Sequence, residues 1–160
     1  MPARHYISPT VHKQDITTVN LGTKAAPFKA EEIGKAVKLS GADTYVLCAA
    51  GDKIEGIVTS SELAATGATR GGMSVGGIQQ SGHIEVVSAA ALVAGDYVVA
   101  AAQPAVGTPL TSIGEGQTPC TPVQKVADQA TVNGLYAMRI VGLGPVGTGA
   151  AGTVCVAKFL

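Results

Sequence analysis

The sequence predicts an all-β protein: a compact antiparallel β-barrel or jelly-roll-like sandwich with an extended N-terminal arm. Three observations predict it. Short β-branched runs recur about every 8 to 12 residues with turn signals between them, the spacing of sandwiches and barrels. One turn-strand pattern comes back, as Gly51-Asp52-Lys53-Ile54-Glu55-Gly56-Ile57-Val58 and as Gly95-Asp96-Tyr97-Val98-Val99, each behind a small apolar run. Gly takes positive φ at little cost and Asp bonds its own backbone, so Gly-Asp marks a turn. A sustained helical period appears nowhere, and Ser88 to Val93 is long enough for one helical turn only.

The elements follow in order. Residues 1 to 30 read as an extended arm, with scattered charges, Pro9, Pro27 and little periodicity. Within it Ile16 to Leu21 alternates and can pair as a strand where a neighbour offers an edge. An ordinary frayed terminus is the plainer reading. Residues 31–160 read as a single β domain. Its expected strands are Lys35 to Leu39, Thr44 to Cys48, Ile54 to Ser60, Met73 to Gln79, His83 to Ser88, Tyr97 to Ala101, Val123 to Ala127, Ala137 to Leu143 and Thr153 to Phe159. Gln80-Ser81-Gly82 reads as a hairpin turn. Glu62 to Gly72 reads as a loop or a short helical turn. Gln103 to Pro122, rich in Gly, Pro and Thr, reads as a surface loop and a contact element.

Composition narrows the function classes. The 11 Lys plus Arg balance 11 Asp plus Glu, which argues against a nucleic-acid binder that needs a basic face. Charged residues are 14% of the 160, well below the roughly 25% of ordinary domains, so partners are expected to cover much of the surface. With no Trp, two Phe and four Tyr, the apolar content is mostly Ala and Val. No signal-peptide pattern follows Met1 and no apolar run is long enough to span a bilayer, so synthesis in a reducing cytoplasm and no membrane partner are expected. Cys48, Cys120 and Cys155 are odd in number and far apart, which indicates neither a disulfide framework nor a zinc site. Cys48 and Cys155 read as small core residues.

The order of units from Gly34 to Leu160 resembles the capsid cement, or head decoration, proteins of tailed bacteriophages. The residues carrying the resemblance are Gly34-Lys35-Ala36-Val37-Lys38-Leu39, Ala50-Gly51-Asp52 leading to Glu55-Gly56-Ile57-Val58, Gly82-His83-Ile84-Glu85-Val86, Ala94-Gly95-Asp96-Tyr97-Val98 and Ala137-Met138-Arg139-Ile140-Val141. The resemblance implies a β-rich homodimer or homotrimer on the outer capsid surface of the virion, made in the host bacterial cytoplasm. Its implied partners are the major capsid protein, itself and neighbouring cement subunits, and its implied role is to hold the shell against internal genome pressure. Such a role needs many weak, repeated contacts rather than chemistry.

Residues 1 to 24 and the loop from Gln103 to Pro122 are the expected contact elements. Arg4, His5, Tyr6, Lys13, Ile16, Val19, Leu21 and Arg70 are the candidate capsid contacts, the basic ones pairing with capsid carboxylates. No catalytic, cofactor or metal residue is expected. Thr66 to Gly72 lacks the Gly-Lys-Ser/Thr ending of a phosphate loop. Gly142 to Gly147 carries Pro145 inside a would-be dinucleotide fingerprint and has no helix after it. His5, His12 and His83 lack metal-ligand spacing. Asp52 and Glu55 read as a turn cap and an edge charge, and Ser60-Ser61 has no identifiable base. The alternative function is a β-sandwich ligand-binding module of a phage virion, for carbohydrate or receptor; the scarcity of aromatics counts against it.

Overall fold

The computed structural model describes residues 16–42, 44–63, 74–111, 120–127, 138–143 and 149–160. The described residues form eleven strands and one 3-10 turn, Ala30–Glu32. The strands are β1 (Ile16–Leu21), β2 (Ala36–Gly41), β3 (Thr44–Leu47), β4 (Gly56–Val58), β5 (Glu62–Leu63), β6 (Ser74–Gln79), β7 (His83–Ser88), β8 (Tyr97–Ala100), β9 (Thr121–Lys125), β10 (Met138–Gly142) and β11 (Val154–Phe159). The predicted all-β class holds, and each predicted strand segment contains a strand.

The barrel comes twice. In the first half the ring runs β1-β3-β2-β4-β6 and closes through β1–β6, with β5 added on β6. In the second half β10-β11-β7-β9-β8 close into another barrel. Each ring has one parallel pair, β1 with β3 and β7 with β9, and is otherwise antiparallel. Aligning the parallel pairs superposes all five ladders. β1, β2, β3, β4 and β6 correspond to β7, β8, β9, β10 and β11.

The correspondence extends to register. Val37 faces Leu47 and Leu39 faces Tyr45 in the first barrel; Val98 faces Lys125 and Ala100 faces Val123 in the second. Val58 faces Ile78, and Ile140 faces Ala157. Leu21 meets Tyr45 as Ser88 meets Val123. The chain is an in-register structural duplication.

The turns entering β2 and β8 repeat as well. Gly34 has φ 90° and Gly95 φ 96°, backbone that an L side chain resists. The Gly34 N–H donates to Val58 O at 2.8 Å while the Val58 N–H donates to Lys35 O at 3.0 Å. The Gly95 N–H donates to Ile140 O and the Ile140 N–H to Asp96 O, both at 2.7 Å. The topological partner of Gly95-Asp96 is therefore Gly34-Lys35. Gly51-Asp52 makes the same clasp, but across the barrels: the Gly51 N–H donates to Ala100 O and the Ala100 N–H to Asp52 O, both at 2.9 Å.

Alternation decides what each barrel buries. Val19, Leu21, Phe28, Val37, Val58 and Ile78 pack as a cluster in the first barrel. Val86, Val98, Val123, Met138, Ile140, Cys155, Ala157 and Phe159 pack in the second, and Ala36, Cys48, Ile54 and Ile57 from the first join them.

Two expectations are corrected. Residues 16–30 are not an arm: β1 pairs along its whole length with β6, and Val19, Leu21 and Phe28 are 4%, 0% and 1% exposed. Their alternation was the signal of a half-buried strand. The β fold comprises two barrels with a shared core. Gln80-Ser81-Gly82 is not a hairpin but the link between barrels, because β1, β4 and β5 occupy the edges of β6 while β11 and β9 occupy those of β7. A positive-φ Gly between two strands serves either connection.

Candidate interaction surface

The two barrels are joined around a buried ion pair. Glu32, at the end of the 3-10 turn, and Lys35, just before β2, are both 0% exposed. Lys35 Nζ lies 3.2 Å from Glu32 Oε1, and donates to Ala105 O at 3.0 Å and to Pro104 O at 3.4 Å. That uses all three ammonium protons. Glu32 Oε2 accepts the Lys29 N–H at 2.6 Å, and Glu32 Oε1 also accepts the Gly107 N–H. A buried charge is tolerated only when paired and hydrogen-bonded, and here both charges are.

Gln103 is a second rivet. Its Oε1 accepts the Ala36 N–H at 3.2 Å, and its Nε2 donates to Ala101 O at 3.0 Å and Pro122 O at 3.2 Å. The Thr121 hydroxyl donates to Gly34 O. Residues 103–107 are therefore a strap tied to the first barrel, and residues 105–109 are exposed, as expected of a surface loop. Beyond it Leu110 and Cys120 are buried, and with Val87, Gln103, Pro104 and Pro122 they line a groove of about 350 Å³. Residues 112–119 lie outside the described residues.

The two predicted turn caps are present. Asp52 Oδ2 accepts the Ala49 N–H at 2.7 Å and pairs with Lys38 Nζ at 2.6 Å. The Lys38 ammonium holds the Asp52 carboxyl below its usual range, assisted by the Ala49 N–H. Asp96 Oδ2 accepts the Val93 N–H at 2.9 Å, and Asp96 Oδ1 pairs with Lys125 Nζ at 3.0 Å. Glu55 extends the β2–β4 ladder: its N–H donates to Val37 O at 3.0 Å, and its Oε2 accepts the Leu39 N–H at 2.7 Å, one step past the end of β4.

The predicted contact residues fare unevenly. Arg4, His5, Tyr6, Lys13 and Arg70 lie outside the described residues. Ile16 is in β1, opposite Gln79. Val19 and Leu21 are core residues of the first barrel, which corrects their assignment as capsid contacts. Apolar residues alternating on a strand fit a core as well as an interface. Thr23 and Lys24 are exposed beside them.

Sequence reasoning missed a line of outward residues on the second barrel. Tyr97 of β8 lies opposite Arg139 of β10, Arg139 opposite Lys158 of β11, and Lys158 opposite His83 of β7. Arg139 and Lys158 are exposed, and His83 and Tyr97 half-buried. The Arg139 guanidinium sits 5.5 Å from the Tyr97 ring centroid and its Nε donates to Gly95 O at 3.1 Å. Only pairing register joins these four, so no local signal marked them.

The three thiols are free and buried. Burial pushes Cys48 up to about 12 and Cys120 up to about 11, and raises Cys155. Among the described residues no group of three or more His, Cys, Asp or Glu is placed to hold a metal ion. No described helix is long and apolar enough to cross a membrane. Comparison with known proteins found no family model that matches the chain and no curated protein that matches it.

Proposed function

We propose that this protein is a capsid cement protein that binds the outer surface of an assembled shell of major capsid protein and stabilises it against internal genome pressure. The observation that carries the reading is how the buried charges are used. Glu32, Lys35 and Asp96 all serve to tie one stretch of backbone to another. The result is a rigid double barrel, and rigidity lowers the ordering cost of each contact with a partner. On a lattice, many such contacts act together and neighbouring copies raise the effective concentration. The resemblance of residues 34–160 to phage head decoration proteins supports the same reading.

The test is co-sedimentation of the purified protein with mature, expanded shells that lack it, beside immature shells. Saturable binding to expanded shells supports the function; no binding to any shell overturns it in favour of the ligand-binding module. An arm deletion belongs at residue 15, because a cut at residue 24 removes β1 and opens the first barrel.

A further inference from the structure

The duplication assigns an unused face. The row Tyr97–Arg139–Lys158 in the second barrel corresponds, ladder for ladder, to Ala36–Ile57–Gln79 in the first, since Ala36 lies opposite Ile57 and Ile57 opposite Gln79. In the first barrel this row is the docking face: Ala36 and Ile57 are 0% exposed and pack into the core of the second barrel. Gln79 beside them is 1% exposed. In the second barrel Arg139 and Lys158 of the equivalent row are exposed. Its residue types have changed from apolar and neutral to aromatic and cationic.

The row is also costly as it stands. Arg139 and Lys158 are directly opposed across β10 and β11, and like charges so placed destabilise a sheet. Neither Lys158 nor His83 has an ion-pair partner among the described residues. The whole chain is formally neutral, so this concentration of basic side chains is local and is not a consequence of a basic composition.

We infer that the Tyr97–Arg139–Lys158–His83 row is a docking strip for an acidic patch on the shell subunit. This rests on the function proposed above. Carboxylates set between Arg139 and Lys158 relieve their repulsion. The Tyr97 ring, 5.5 Å from the Arg139 guanidinium, and the Nε hydrogen bond to Gly95 O favour its place in the row.

The experiment measures shell co-sedimentation of wild type, Lys158→Glu, Arg139→Gln and Lys53→Glu. Lys53 is exposed on the first barrel and its substitution makes the same change in net charge. The expected result is at least tenfold weaker binding for Lys158→Glu, a smaller loss for Arg139→Gln, and wild-type binding for Lys53→Glu. Lys158 makes no ion pair among the described residues, so its variant is expected to fold; an unchanged melting temperature checks this. Wild-type binding by both row variants overturns the strip and leaves the cement function standing. Equal loss in Lys53→Glu also overturns it, by showing a general charge effect. No binding of wild type to any shell overturns strip and function together. Tighter binding to a duplex DNA fragment than to shells, lost in Lys158→Glu, overturns it by assigning the row to nucleic acid.

Discussion

Lys35 and Asp96 occupy the same position in the two barrels, each directly after a positive-φ glycine, and both are buried charges, of opposite sign. Their main-chain bonds are the same: the Lys35 N–H donates to Glu32 O and the Asp96 N–H to Val93 O, both at 3.1 Å. The side chains then diverge. Lys35 reaches across to the strap at Pro104 and Ala105, whereas Asp96 turns back to cap Val93 and pair with Lys125. One scaffold position thus holds the barrels together in the first copy and secures a turn in the second.

Removing one member of the buried pair leaves the other charged and uncompensated. Lys35→Met is expected to cost about 3–5 kcal/mol, the usual range for breaking a buried pair from one side. The double variant Lys35→Met with Glu32→Gln is expected to recover a large part of that, because no bare charge remains. Urea unfolding of the singles and the double closes the cycle. A double variant as unstable as the sum of its singles would show that the two side chains do not act as a pair.

The glycine clasp gives a second prediction. Gly51 has φ 88° and open space where a Cβ would project, so Gly51→Ala tests the backbone alone. Forcing an L residue into that region costs about 1–2 kcal/mol. Gly95→Ala is expected to cost about the same, because the added methyl meets only Arg139 Nη2, at an ordinary contact distance of 3.4 Å. Chemical denaturation reads both. A neutral Gly51→Ala would mean that the turn relaxes out of positive φ without loss.

How far the sequence carried is visible in the same turns. Gly-Asp predicted the turn and its Asp cap at both sites, because both signals are local. It paired Gly95-Asp96 with Gly51-Asp52, whereas the barrel's own repeat pairs it with Gly34-Lys35, a relation set by ladder register and not by residue identity. Every strand but β5 (Glu62–Leu63), which read as part of a loop or helical turn, was legible from β-branched runs. Closure into two rings was not, since nothing in Gln80-Ser81-Gly82 says whether the next strand returns to the same sheet. Arg139, Lys158 and His83 are distant in sequence, and only register brings them into one row.

The two aspartate caps differ in burial, which separates their expected costs. Asp96 is 6% exposed and serves both the Val93 N–H and Lys125. Asp96→Ala removes the buried carboxylate that accepts the Val93 N–H and pairs with Lys125, and is expected to cost about 1–3 kcal/mol. Asp52 and Lys38 form an exposed pair, and water screens it, so Asp52→Ala is expected to cost clearly less. Because Lys38 depresses the Asp52 carboxyl, the small contribution of that pair is present above the ordinary aspartate range and fades as pH falls through the lowered value. Thermal melts of both variants at neutral pH test the order; equal losses would count against burial as the deciding factor.

The thiols predict an alkaline limit to stability. Burial raises Cys48 to about 12 and Cys120 to about 11, and raises Cys155 in the same direction. The folded state therefore holds these protons more tightly than the unfolded chain, whose thiols titrate near 8.5. A group with a raised folded value gives its full stabilisation below the unfolded value and loses it as pH rises above that point. Stability is expected to be level in the thiol contribution at neutral pH and to fall from about pH 8.5 upward, by at most about 1.4 kcal/mol per pH unit for each buried thiol. Replacing Cys48 by Ala removes one titrating group and is expected to flatten that fall, whatever it does to stability at pH 7. The same burial makes the thiols slow toward a disulfide reagent at pH 8 in the native protein and fast in urea. Rapid native-state labelling of Cys48 or Cys120 would contradict their burial, and an alkaline profile unchanged by Cys48→Ala would remove that thiol as a cause of the fall.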